Sequence, residues 1–428
     1  MEVVENVVQS STRNTMNMNT FTWMITPILV FAGIVLIIIG MLLVFGIIKT
    51  DAPSNSSKFK LQLDSTPYSQ TSGFPYGMVQ GNQQYLVNFS PLTGYLAGYI
   101  GPVKEGSFDP NLYLSSAFKA GIRSFVLPIS TYNDNNKTPD SGWPYSGEPA
   151  VVCRDASGTI ISNNGMSIRD FAVGILQNRG VNSYYANDPI FLHLEEVPGY
   201  IPDPVKEEKR YVIFMNKIAS QLSALDGIRI VTMPEFGQLG SLVGGERERE
   251  LLTLIPVTSF FGRIIITTNF KTRLSFKGAY ANIPGPTLHE YVNFIHKPFT
   301  SADTSSNHAS KSVSITDLSG SQLNWPSITQ TTTLLAEAKG LDIPDTALVS
   351  TALRQGIQII PLPFFYQNVA DTKALYALWK GASALVKPVA SPDENLFTRP
   401  DPVVPSKPSE TLNARVSPDQ QPGQVNVR

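Results

Sequence analysis

Residues 188–196 read DPIFLHLEE. The apolar run is too short for a helix, is entered through a proline and ends in two acids, so 190–194 reads as a buried β-strand. Side chains alternate along a strand, so His193 and Glu195 share one face. In a parallel barrel that face can be the interior, close to the C-terminal mouth where barrel chemistry takes place.

Working outward, further short apolar or β-branched runs lie at 85–89, 124–129, 150–153, 228–233, 263–268 and 357–361. Helix-like segments fall between or after them at 112–120, 167–178, 207–225, 331–338 and 372–383. Such alternation builds βα units and a parallel sheet. Seven or eight strands across 85–389 fit an α/β, TIM-like (β/α)8 barrel. A doubly wound open sheet is the alternative, but no G-x-G-x-x-G or G-x-x-x-x-G-K-[ST] follows the first strand. The stretch 271–328 breaks the rhythm: it is polar, carries three of the four histidines, and reads as an insertion.

Outside this domain the chain changes character. No charged residue lies between Arg13 and Lys49, and 21–48 is almost continuously apolar. About 20 such residues cross the roughly 30 Å hydrocarbon layer, so this segment is expected to be a single transmembrane helix after an N-terminal arm at 1–20. A cleaved signal peptide fits less well. Its apolar core is shorter, only Arg13 is basic upstream, and Lys49-Thr50-Asp51 is no small-residue cleavage site. Lys49, Lys58 and Lys60 follow the span, which by the positive-inside rule places the large domain on the cytosolic side. Residues 49–84, rich in Ser, Gly, Pro and Gln, read as a juxtamembrane linker, and the proline-rich 390–428 as a disordered tail. That tail leaves room for contacts with other membrane or particle proteins.

The formal net charge is −1 and no basic block occurs, so the electrostatic footprint of a nucleic-acid binder is missing. Cys153 is the single cysteine, so no disulfide framework exists within the chain.

Five segments, taken in order, resemble the X-domain of phosphatidylinositol-specific phospholipase C, a TIM-like barrel of the phospholipase-C-like phosphodiesterase superfamily. SSAFKAGIRSFVLPI from Ser115 is similar to the family's A-L-x-x-G-x-R-x-hydrophobic-E-hydrophobic-D, and DPIFLHLEE to its P-hydrophobic-I-L-S-L-E. FFGRIIITTNF from Phe260 is similar to L-x-G-K-I-L-I-K, RQGIQIIPLPFF from Arg354 to G-x-Q-hydrophobic-V-x-hydrophobic-N, and ALVKP ending at Pro388 to Y-V-L-K-P. The resemblance implies the barrel and a phospholipid head-group substrate, with a phosphodiester cleaved by two histidines acting as base and acid.

Both histidines are replaced. Where the family has H-N-[TS]-Y, this chain has NFSPLTGY from Asn88, which puts Pro91 or Leu92 at the first position. Where it has P-hydrophobic-V-x-H-G, PAVVCRD from Pro149 puts Cys153 or Arg154 at the second. Arginine holds phosphate but does not release a proton near neutral pH. The resemblance also implies strand-end carboxylates for Ca2+ in the calcium-dependent members, yet Val126, Leu127 and Pro128 replace the E-x-D. Glu195 is the one retained candidate, and a hard dication needs six or more oxygens. No cofactor is therefore expected, with Ca2+ only in an active enzyme.

The expectation is a bilayer-anchored, catalytically inactive module that binds at a membrane. The alternative is an active phosphodiesterase using a displaced set, His193, Glu195 and Arg154, with Arg123 and Arg154 on the substrate phosphate. His193 with Glu195 also reads as a hydrogen-bonded structural pair. His289 and His296, seven apart in TLHEYVNFIHKP, read as two turns of one exposed helix face, and His308 as part of a Ser-rich loop.

Overall fold

In the computed structural model the described residues are 31, 70–75, 86–131, 148–181, 183–230, 256–271, 285–298, 311–313, 333–335, 341–366 and 369–387. The expected transmembrane helix at 21–48, apart from Phe31, lies outside them, as do the arm at 1–20, the tail at 390–428 and His308. Among the described residues no helix is long and apolar enough to cross a membrane.

The chain lays down β1 (Phe89–Pro91), β2 (Thr93–Tyr95), the small hairpin of β3 (Tyr99–Ile100) and β4 (Ser107–Phe108), helix α1 (Pro110–Ala120) and β5 (Ser124–Thr131). Then come β6 (Pro149–Val151), β7 (Met166–Ser167), α2 (Ile168–Asn178), β8 (Ile190–Glu196), α3 (Glu208–Leu222) and β9 (Ile264–Thr268). After these follow α4 (Leu288–Tyr291), β10 (Phe294–Ile295), β11 (Lys297–Pro298), β12 (Lys311–Val313), β13 (Thr333–Leu335), α5 (Thr346–Arg354), α6 (Val369–Leu378) and β14 (Ala384–Val386).

Local chemistry sets the helix ends. Asp109 caps α1 by accepting from the Leu112 amide at 3.0 Å, Pro110 occupies the first turn, and Gly121 closes the helix in the left-handed region at φ 85°. Ser167 and Asp345 cap α2 and α5 in the same way, through the Asp170 and Ala347 amides.

The sheet is mixed. β2, β5, β8, β9 and β10 run parallel, while β6 and β7 are antiparallel. β2 pairs with the first half of β5 at Ser124–Val126, and β6 takes over the second half at Ile129–Thr131. Leu362 bridges Gly94 in the parallel sense and Arg229 bridges Ile264. β11, β12 and β13 form a separate parallel set, and β1 pairs antiparallel with β14. The architecture is thus α/β with a parallel core, but among the described residues the strands do not close into a ring.

Two apolar layers flank the central strands. Phe125, Leu127, Leu192, Leu194, Ile264 and Ile266 pack on the helix side with residues such as Tyr113, Phe171 and Tyr211. Phe191, Ile265 and Phe294 point the other way and build a floor with Phe74, Phe89, Val257 and Phe260.

Several expectations change. The segment 331–338 contributes β13 rather than a helix, because the β-branched threonines around it suit a pleated strand. The segment 357–361 forms no strand: Ile359 and, just past it, Leu362 make isolated bridges, since Pro361 and Pro363 lack amide donors for a ladder. α5 was hidden beneath a polar, threonine-rich surface. The supposed insertion at 271–328 includes β10, which pairs Phe294 with Thr267 in the main sheet. The supposed linker at 49–84 includes Gln70 and Phe74, both buried, and Ser72 bridges Ala382.

Candidate functional site

On β8 the register with β5 and β9 sets Val126 opposite His193 and His193 opposite Thr267. Because Leu192 and Leu194 belong to the helix-side core, His193 and Glu195 project with Phe191 onto the inner face. Above the floor of Phe191, Ile265 and Phe294 therefore lies a polar level of His193, Thr267 and His296, and at the C-terminal end of β8 stands Glu195.

His193 Nδ1 lies 2.9 Å from Thr267 Oγ1. The His193 and His296 rings are 5.0 Å apart between centroids and cross at 71°. His193 is 0%, His296 2% and Glu195 5% exposed, so all three are interior groups. Tyr95, at the end of β2, completes this end. Burial holds its phenol well above the usual range, and the Glu195 carboxylate and Cys153 add to the shift.

His296 is the residue that spacing misplaced. α4 ends at Tyr291, so His289 and His296 do not share a helix, and His296 directly follows β10 (Phe294–Ile295). The signal was there in NFIH. It is too short to read as a strand, and buried Asn293 supports it from the side, its side-chain Oδ1 accepting from the Ile266 backbone N–H at 2.8 Å.

Arg154 lies near the C-terminal end of β5. Its guanidinium donates to the Gly158 carbonyl at 2.7 Å and the Thr131 carbonyl at 3.0 Å, and stacks 4.1 Å above the Tyr200 ring. Cys153 beside it is buried, and that burial pushes its thiol up to about 12. No protein-family model matches the chain, and no curated protein does. Solved structures similar to it are phospholipases. L. pealei PLC21 is 14% identical over 72% of this chain and 38% of that one, with a TM-score of 0.47. S. officinalis PLC21 is 14% identical over 76% of this chain and 39% of that one, TM-score 0.44. A calcium-dependent phosphoinositol-specific phospholipase C from Pseudomonas sp is 13% identical over 68% and 96%, TM-score 0.39. The chain thus spans well under half of the first two.

Arg123 is not brought to this level. It sits at the N-terminal start of β5, 1% exposed, with its Nε 4.0 Å from Asp188 and its Nη2 donating to Gln70 at 3.0 Å. Burial lowers the guanidinium to about 10, and the Asp188 charge opposes that. Asp188 also accepts from the Ser383 hydroxyl at 2.9 Å. This node ties the strand entrances together, at the opposite end of β5 from Arg154, so the fold does not bring Arg123 and Arg154 to one level.

Across the ladder from Glu195 stands Pro128, which has no side-chain oxygen. Among the described residues no group of three or more His, Cys, Asp or Glu side chains is placed to hold a metal.

Proposed function

We propose that this chain is a single-pass, membrane-anchored domain with a phospholipase-C-like (β/α)8 barrel, and that it acts as a non-catalytic binding module for phospholipid head groups. The observation that carries the loss of catalysis is the state of Cys153 and Arg154, where the motif alignment puts a proton-carrying histidine. A buried thiol raised to about 12 stays protonated at neutral pH and accepts no proton. The neighbouring guanidinium is held on two backbone carbonyls. At the other histidine position, Pro91 pairs with Ala384 in the β1–β14 ladder and Leu92 is buried in the core. Neither offers an acid or a base. The uncharged apolar segment at 21–48 supports the anchor, which concentrates the domain at a lipid surface.

A second reading has one observation behind it. His193, His296, Thr267 and Glu195 gather on the inner face in the C-terminal half of the parallel strands, where a displaced acid–base set would stand. Their burial weighs against it, because a general acid must come within about 3 Å of its substrate.

The test uses the full chain reconstituted in phosphatidylcholine liposomes and offered separate vesicles containing phosphatidylinositol, with and without calcium. Capture of those vesicles without release of inositol phosphate is expected. Release that disappears in His193→Ala and Glu195→Ala would establish the enzyme instead, and neither capture nor release would remove the head-group reading.

A further inference from the structure

Two turns meet beside the C-terminal ends of β5 and β8, and one guanidinium joins them. We infer that Arg154 is a positioning residue, which clasps the 153–161 turn to the 197–200 turn and so fixes the rim at which a head group enters. The inference rests on the head-group reading above.

The first turn folds back on itself. The Ile161 amide donates to the Cys153 carbonyl at 2.9 Å, the Asp155 amide donates to the Thr159 carbonyl at 3.0 Å, and Arg154 bridges Ile160. At its tip the Asp155 carboxylate accepts from the Ser157 and Thr159 amides at 2.9 and 3.0 Å. These bonds shape the turn but do not set where it points.

Arg154 sets that direction. Its Nη1 donates to the Gly158 carbonyl at 2.7 Å, which ties the side chain to the tip, and its Nη2 donates at 3.0 Å to the carbonyl of Thr131, the last residue of β5. The guanidinium plane lies 4.1 Å above the Tyr200 ring, four residues past the end of β8. Tyr200 is held to the same strand end, because its carbonyl accepts from the Thr131 amide at 2.8 Å and from the Thr131 hydroxyl at 2.9 Å. Turn tip, strand end and aromatic ring thus form a closed circuit. The Ile161 carbonyl extends it to a third segment by accepting from the Glu105 amide at 3.0 Å.

The residue type fits this task. A guanidinium offers donors in a rigid plane and a face that stacks on an aromatic ring, whereas an ammonium has neither fork nor plane. Recognition needs its surrounding groups held to within about 0.5 Å, and a rim locked at three points meets that need.

The test reads amide hydrogen exchange and vesicle capture together, on the full chain in phosphatidylcholine liposomes offered phosphatidylinositol vesicles. Wild type, Arg154→Lys, Tyr200→Leu and the double variant are compared. Each single variant is expected to speed exchange at Thr159 and Ile161 and to weaken capture, both by about tenfold, the order of one hydrogen bond from a charged donor. The double variant should lose no more than either single one, since both remove the same clasp. Unchanged exchange overturns the clasp, and faster exchange with unchanged capture overturns its role at the site. Capture lost in Arg154→Lys but kept in Tyr200→Leu makes Arg154 a direct phosphate ligand and overturns the positioning role. Should a variant fail to fold, wild type decides: exchange at Thr159 and Ile161 stays slow on vesicle binding if the clasp holds, and faster exchange overturns it. A wild type that captures no vesicles removes the head-group reading and the rim with it, whereas failure of the clasp alone leaves wild-type capture intact.

Discussion

Arg123 and Asp188 show how a residue can look functional and be structural. Guanidinium after a G-x-R pattern suggests phosphate, but here burial lowers Arg123 to about 10 and raises Asp188 from its ordinary value. Removing one partner of such a pair strands a charge, which costs about 3–5 kcal/mol. Asp188→Ala should therefore lower the unfolding free energy by that order in denaturant melts, and a change under about 1 kcal/mol would contradict the assignment. Gly158 makes a second test. It has φ +85° and its added Cβ would collide with the Tyr200 hydroxyl, the ring on which Arg154 stacks. Gly158→Ala should cost at least about 1–2 kcal/mol by thermal unfolding, because an alanine resists the left-handed region and Tyr200 must move. At this scale the candidates His193, Glu195 and Arg154 were visible in the sequence as residue types. Their burial and partners were not, because a pattern of apolar neighbours says which face a side chain shares and nothing of what covers it.

Among the elements, the segment before β1 has the largest effect on how the domain is bounded. Gln70 accepts from Arg123, the Thr71 and Ser72 amides donate to the Gly381 carbonyl, and Phe74 stacks on Phe191 with centroids 6.4 Å apart. Composition alone marks this stretch as linker, since Ser, Gly, Pro and Gln outnumber its apolar residues. Phe74→Ala should destabilise the domain by about 3–5 kcal/mol, as for other buried phenylalanines, and chains beginning after residue 75 should unfold at lower denaturant than full-length protein. An unchanged midpoint would return the segment to the linker. The long strands β5, β8 and β9 were legible because their apolar runs exceed what a turn or loop needs. β10 and β13, two and three residues long, were not, because a pattern of period two cannot be read in so few positions.

For the molecule as a whole, pH acts through groups that the fold has taken from water. Burial lowers the Lys387 ammonium from 10.5 to about 7. The unfolded chain then binds one more proton than the native chain between pH 7 and 10.5, so stability rises with pH across that window by about 1.4 kcal/mol per unit. Lys387→Met should flatten that rise and gain stability at neutral pH, as read from urea melts at pH 7, 8 and 9. A slope unchanged by the substitution would mean that Lys387 keeps its charge in the fold. By itself the sequence determined the α/β class, the central strands and the shared face of His193 and Glu195. Each of these depends on local alternation or on residue identity. Only the tertiary structure decided that His296 meets His193, that Arg123 sits at the far end of β5, and that Gln70 and Phe74 belong to the domain. Those contacts join residues 53 to 117 positions apart, and no local pattern encodes which distant side chain will fill a given space.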